Sequence, residues 1–115
     1  MILCERGIKT FEDSARYSLD ITSIPIAQHW SHLPIVIDPS HCCGKRDWVG
    51  AVACAGMAAG AHGVIVEVHY CPSEAQCDGP QALLPEKFKE LMDQLRQIAA
   101  IFKKEFAEAG EAVTA

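Results

Sequence analysis

The chain has 115 residues, half of them hydrophobic and 22% charged, a composition that fits one globular domain and excludes a disordered or fibrous chain. Its formal net charge of −5 comes with scattered lysines and arginines, so there is no basic stripe of the kind nucleic acid requires. No apolar run approaches the roughly 18–20 residues that cross a bilayer, and the opening Met-Ile-Leu-Cys-Glu-Arg-Gly does not read as a signal peptide. A cytoplasmic location is therefore expected, and with it six reduced cysteines rather than a disulfide framework.

In chain order, Met1–Glu5 (MILCE), Pro34–Asp38 (PIVID) and Gly63–His69 (GVIVEVH) read as buried strands. The last two are nearly continuous β-branched runs, the pattern of parallel strands covered on both faces. Between the first two lies a short helical segment, Ser23–Trp30, in which Pro25 is tolerable only because it falls in the first turn. Arg46–Ala59 is an alanine-rich helix closed by Gly60. A longer helix starts near Pro85, with Phe88, Leu91, Met92, Leu95, Ile98, Ala99 and Phe102 along one stripe. Residues 107–115 read as a frayed tail. The resulting β-α-β-α-β-α order predicts an α/β domain whose parallel strands end on one edge. That edge would collect Glu5, Arg6, Asp38, His41, Glu67 and His69, and carboxyl edges of parallel sheets are where such folds place their sites.

Several of these residues carry chemistry by type. His41, Glu67 and Asp78 offer an imidazole and two carboxylates, a set suited to Mn, Fe, Co or Zn. Their separations, 26 and then 11 residues, form no local motif. They meet only if the second and third strands are neighbours and the 70–79 loop folds back; otherwise they are three unrelated loop residues. Glu67 sits in an apolar strand and needs a partner, either a metal or an ion pair such as one with Arg6. Arg6 before Gly7 is placed to fork onto a phosphate or carboxylate, or is an ordinary loop arginine. Cys42 and Cys43 with Cys71 or Cys77 would suit zinc, but the chain has no Cys-x-x-Cys pair and neighbouring cysteines rarely reach one ion. His29, His32 and His62 fall at element boundaries as structural or exposed residues, and His69 is a second candidate beside the edge.

Taken together, Leu3-Cys4-Glu5-Arg6-Gly7-Ile8, Thr10-Phe11-Glu12, Leu19-Asp20-Ile21, Asp38-Pro39-Ser40-His41, Gly44, Arg46-Asp47, Val66-Glu67-Val68-His69 and Asp78-Gly79 closely resemble the 3-deoxy-D-arabino-heptulosonate 7-phosphate (DAHP) synthase family. The likeness runs from residue 1 to about residue 100, and it is to the subtype that is similar to 3-deoxy-octulosonate 8-phosphate synthase. Asp-Pro-Ser-His favours the heptulosonate enzyme, since the octulosonate relatives typically carry Asp-Ala-Thr-His. The resemblance implies a (β/α)8 barrel that condenses phosphoenolpyruvate with erythrose 4-phosphate in the shikimate pathway. It implies a divalent metal held by His41, Glu67, Asp78 and a cysteine, and Arg6 on the phosphate of phosphoenolpyruvate. Arg6, Asp38 and His41 form the implied catalytic set, with Asp38 organising the metal site.

A barrel of this kind takes about 250 residues, so the three strand–helix units correspond to the last three of eight, with open strand edges. The family's Gly-Pro-Cys-type motif, source of the fourth ligand, and its Lys-Pro-Arg segment are absent from these 115 residues. The expectation is a carboxyl-terminal part or split half of the enzyme, inactive alone, that self-associates or meets a partner chain through its edges. The alternative is a non-enzymatic metal- or phosphate-binding or regulatory module derived from that fold.

Overall fold

The computed structural model describes residues 1–107. Strands β1 (Leu3–Glu5), β2 (Ile35–Ile37) and β3 (Gly63–Val64) form one parallel sheet in the order β1-β2-β3. Its register pairs Leu3, Cys4 and Glu5 with Ile35, Val36 and Ile37, and Val36 and Ile37 with Gly63 and Val64. Helices α1 (Ser23–Trp30), α2 (Pro39–Cys43), α3 (Arg46–Ala58) and α4 (Pro85–Ile101) complete it, with single 3₁₀ turns at Pro72–Glu74 and Gly79–Gln81. Apart from Ala107, the expected tail lies outside the described residues.

The chain is α/β with three parallel strands, as the pattern predicts, and the order of the predicted elements is kept. Two local differences have physical causes. The third strand is predicted over Gly63–His69 but pairs as a strand only at Gly63–Val64. Beyond that point it keeps one backbone bond to β2, Ile65 N–H to the Ile37 carbonyl, and one parallel bridge, Val68 with Leu83, because a ladder exists only where a second backbone runs alongside. Residues 39–43, where the sequence pattern marks no helix, form α2. Asp38 caps it by accepting the His41 N–H, Pro39 occupies the first turn where its missing N–H costs nothing, and Gly44 ends it with a left-handed φ of 68°.

The core lies on one side of the sheet. Ile24, Ile35, Ile37 and Ala61 pack under α1, and Val49, Ala53, Met57, Leu91 and Leu95 join α3 to α4. The stripe predicted for α4 is the face it buries, through Leu91, Leu95 and Ala99. The opposite sheet face is not covered as the apolar runs predict: Cys4 is exposed and Ile65 is 49% exposed. The sheet therefore has helices on one face and nothing on the other among the described residues.

α3 lies so close to β2 that Gly56 has no room for a side chain. A Cβ there would drive into Ile37 Cδ1, and Ile37 is fully buried, whereas a Cβ at Gly50 would meet nothing within 4 Å. Gly56→Ala is therefore expected to destabilise the chain by about 1–3 kcal/mol. Gly50→Ala should be neutral or stabilise it by up to about 1 kcal/mol through helix propensity. Urea unfolding followed by circular dichroism checks the pair, and the same sign for both would contradict this packing.

Candidate metal centre

The carboxyl edge of the sheet is built outward from Asp38. This residue is 3% exposed at the end of β2, and its N–H donates to the Glu5 carbonyl at 2.9 Å. As the cap of α2 its Oδ1 accepts the His41 N–H at 3.1 Å, while its Oδ2 lies 2.7 Å from His41 Nδ1. A carboxylate only accepts, so in the neutral imidazole Nδ1 carries the hydrogen and Nε2 keeps its lone pair. One buried acid thus fixes the helix, the ring orientation and the tautomer, an arrangement that prepares a histidine to ligate through its far nitrogen.

Both conditions for the triad to meet are satisfied. β2 and β3 are neighbours, and the 70–82 segment leaves β3 and returns, with Leu83 N–H donating to the Glu67 carbonyl at 2.8 Å and His69 N–H to the Leu83 carbonyl at 2.9 Å. That return brings Asp78 Oδ2 to 3.3 Å from His41 Nε2, with Glu67 Oε1 at 3.9 Å. One ligand atom from each of the three lies within 4.8 Å of the others. Asp78 holds a left-handed φ of 55°, an uncommon conformation for a residue with a side chain. It is braced by its neighbour: Gly79 is buried against the Pro72 carbonyl, and its own carbonyl accepts from Arg46 Nη2 at 3.1 Å.

The donor set fits a divalent ion. Among the described residues no lysine or arginine forms an ion pair with Glu67 or Asp78, and both carboxylates face the Nε2 of His41. Two carboxylates gathered around one imidazole nitrogen give the oxygen and nitrogen donors that such an ion takes.

Arg6 pairs with Asp38, not with Glu67: Nε lies 3.3 Å from Asp38 Oδ2, and the side chain remains 59% exposed. The guanidinium is thus anchored through Nε, and the exposed remainder can contact an anion. Glu67 needs no buried ion pair, since its side chain is 40% exposed. Gly7, next to Arg6, has φ 110°, and a Cβ there would meet Tyr17 Cβ at 2.7 Å and Cys42 Cβ at 2.9 Å. The close approach that a glycine after Arg6 allows is therefore made to Tyr17 and to α2.

The cysteines do not join the site. Cys42 and Cys43 are 1% and 4% exposed in the core, and the Cys42 thiol donates to the Pro39 carbonyl at 3.4 Å. Its hydrogen bond with Cys43, and then burial, push this thiol up, and its place in the core, outside the His41–Glu67–Asp78 cluster, keeps it from the site. Among the described residues the metal-spaced cluster is His41, Glu67 and Asp78. His62 accepts the Ile35 N–H and His69 the Cys71 N–H through Nδ1, and His29 and His32 are exposed. Ser40 and Arg46 are site neighbours that the spacing did not single out. The sequence signal for both is their place in the quoted motifs, Ser40 in Asp38-Pro39-Ser40-His41 and Arg46 in Arg46-Asp47.

A family model described as "DAHP synthetase I family" matches residues 1–104. The chain is 52% identical over 99 residues to the phospho-2-dehydro-3-deoxyheptonate aldolase of Thermotoga maritima, covering 86% of this chain and 29% of that protein. It is 40% identical over 96 residues to a 2-dehydro-3-deoxyphosphooctonate aldolase from Syntrophobacter fumaroxidans, covering 74% of this chain and 33% of the relative. A solved truncated form of 3-deoxy-D-arabino-heptulosonate 7-phosphate synthase from Thermotoga maritima superposes with a TM-score of 0.88 at 50% identity, over 90% of this chain and 40% of that one. The chain spans about a third of the length of the curated relatives it matches. A family match over nearly the whole chain, with the fold it superposes on, places the protein in the DAHP synthetase I family.

Proposed function

We propose that the chain forms the carboxyl-terminal wall of a DAHP synthase active site, the last three strand–helix units of a (β/α)8 barrel that joins phosphoenolpyruvate to erythrose 4-phosphate. The observation that supports it is the convergence of His41 Nε2, Glu67 Oε1 and Asp78 Oδ2 on one point at the sheet's carboxyl edge, in a chain half identical to a heptonate aldolase.

In this reading His41, Glu67 and Asp78 hold a divalent cation, and Asp38 keeps the proton on His41 Nδ1 so that Nε2 remains free to ligate. Bound there, the ion would act as a Lewis acid toward the aldehyde oxygen of erythrose 4-phosphate. Arg6, fixed by Asp38 and open to solvent on its other side, receives the phosphate of phosphoenolpyruvate by a charge-assisted fork. β1 and β3 are the sheet's edges and one sheet face is bare. Those are the surfaces that the preceding five units would pair with and cover, whether they lie on the same polypeptide or on a partner chain.

Co-expression with a polypeptide carrying the first five strand–helix units of a DAHP synthase tests this. The expected result is a co-purifying complex that, with manganese, releases phosphate from phosphoenolpyruvate only when erythrose 4-phosphate is present. Two folded chains that do not assemble, or a complex that forms no heptulosonate, would overturn the reading.

A further inference from the structure

We propose that Ser40 is a positioning residue for Glu67, its hydroxyl continuing the β2 ladder past the point where the backbone turns into α2; this rests on the metal reading of the triad. The sheet shows why a side chain is needed there. The third segment receives carbonyls from β2 as far as it can: His62 N–H donates to Ile35 and Ile65 N–H to Ile37, each at 2.8 Å. Two residues on, β2 has ended and its next carbonyls belong to α2, where the Asp38 carbonyl accepts the Cys42 N–H and the Ser40 carbonyl the Gly44 N–H. Glu67 N–H would be left without an acceptor across the strand gap. Ser40 Oγ takes it at 3.0 Å.

The serine has little freedom to do otherwise. It is fully buried, and it sits on the helix whose cap, Asp38, also aims His41. Two triad members are therefore referenced to one five-residue helix, His41 as part of it and Glu67 through the Ser40 hydroxyl. The third, Asp78, is held from the next helix by the Arg46 bond to Gly79. Because the Glu67 side chain is 40% exposed and the outer edge of its segment is bridged only at Val68, the Ser40 bond is the restraint that faces the site. Losing one oxygen there would let the Glu67 backbone, and with it the carboxylate, drift from His41.

Manganese binding to the 115-residue chain, read from the electron paramagnetic resonance signal of free Mn(II), tests this role. Ser40→Ala is expected to weaken binding about tenfold, as the loss of an outer-shell partner does. In a Glu67→Ala background the same change should cost nothing further, because the carboxylate it serves is gone. Ser40→Thr, which keeps the hydroxyl, should bind close to the parent. If the alanine variant does not fold, Ser40→Cys, with a much weaker acceptor, should show the same loss. Parent affinity in folded Ser40→Ala, with Glu67→Ala still impaired, overturns the role of Ser40 and leaves the metal reading standing. An equal loss with and without Glu67 marks a general structural effect and overturns it as well. No saturable binding by the parent chain overturns the metal reading and this role together.

Discussion

Supplied with phosphoenolpyruvate, erythrose 4-phosphate and manganese, the 115-residue chain on its own is expected to make no heptulosonate phosphate. Charge is the first reason. Among the described residues, Glu5, Asp38, Glu67 and Asp78 gather at the edge with Arg6 and Arg46 as the permanent cations in contact with it. The substrates bring two phosphates and a carboxylate, and one bound divalent ion cannot neutralise both acids and substrates. Exposure is the second. Arg6 is 59% exposed and one sheet face is bare, so every attraction at the edge is weakened by water, whereas transition-state stabilisation of this kind depends on a closed, preorganised site. A discontinuous assay for the heptulosonate, run beside one for phosphate, checks this. Product above the enzyme-free control, from the purified chain alone, would show that three units suffice.

The second large effect is expected at His41. Replacement by alanine should lower Mn(II) affinity at least about 100-fold, since loss of an outer-shell partner alone costs about 10–100-fold. It removes the only nitrogen of the set and the group from which both carboxylates are measured. The fold should persist, because Asp38 keeps its ion pair with Arg6 and its cap on the backbone of α2. A single hydrogen bond lost at a partly exposed side chain costs only about 1 kcal/mol. Titration with Mn(II), beside a thermal melt of the same sample, separates the two outcomes. Unchanged affinity in a folded His41→Ala variant would remove the metal centre from the account.

How much of this was legible in the sequence depends on how local each signal is. The Ile35–Ile37 strand and the α4 stripe through Leu91 and Leu95 are carried by periodicity, which hydrophobic burial enforces directly, and both are where the pattern puts them. The triad is not local. His41, Glu67 and Asp78 meet through the β2–β3 pairing and the return of Leu83 beside Glu67, and neither register nor loop path is written in the spacing of 26 and 11 residues. Residue type named the set, and family resemblance is what tied its members together.

The misses have causes of the same kind. α2 is signalled by Asp38 as cap, Pro39 in the first turn and Gly44 at the exit, but five residues are too few for a hydrophobic period to declare itself. The partner of Arg6 turns on which carboxylate lies behind it. The β1–β2 register puts Asp38 there, at the turn following the paired Glu5 and Ile37. Cys42 and Cys43 stand beside His41 in sequence yet turn into the core, because helical backbone points successive side chains about 100° apart.

The central claim is that these 115 residues carry three ligands of one metal site. Crystals of the chain soaked in manganese and measured near the manganese absorption edge test it most directly. The account predicts one strong anomalous peak in contact with His41 Nε2 and the carboxylates of Glu67 and Asp78, at about 2.0–2.3 Å from each ligand atom, with Nδ1 of His41 still on Asp38. A map with no peak there, or with its peak on the cysteines or on other surface acids, would contradict it.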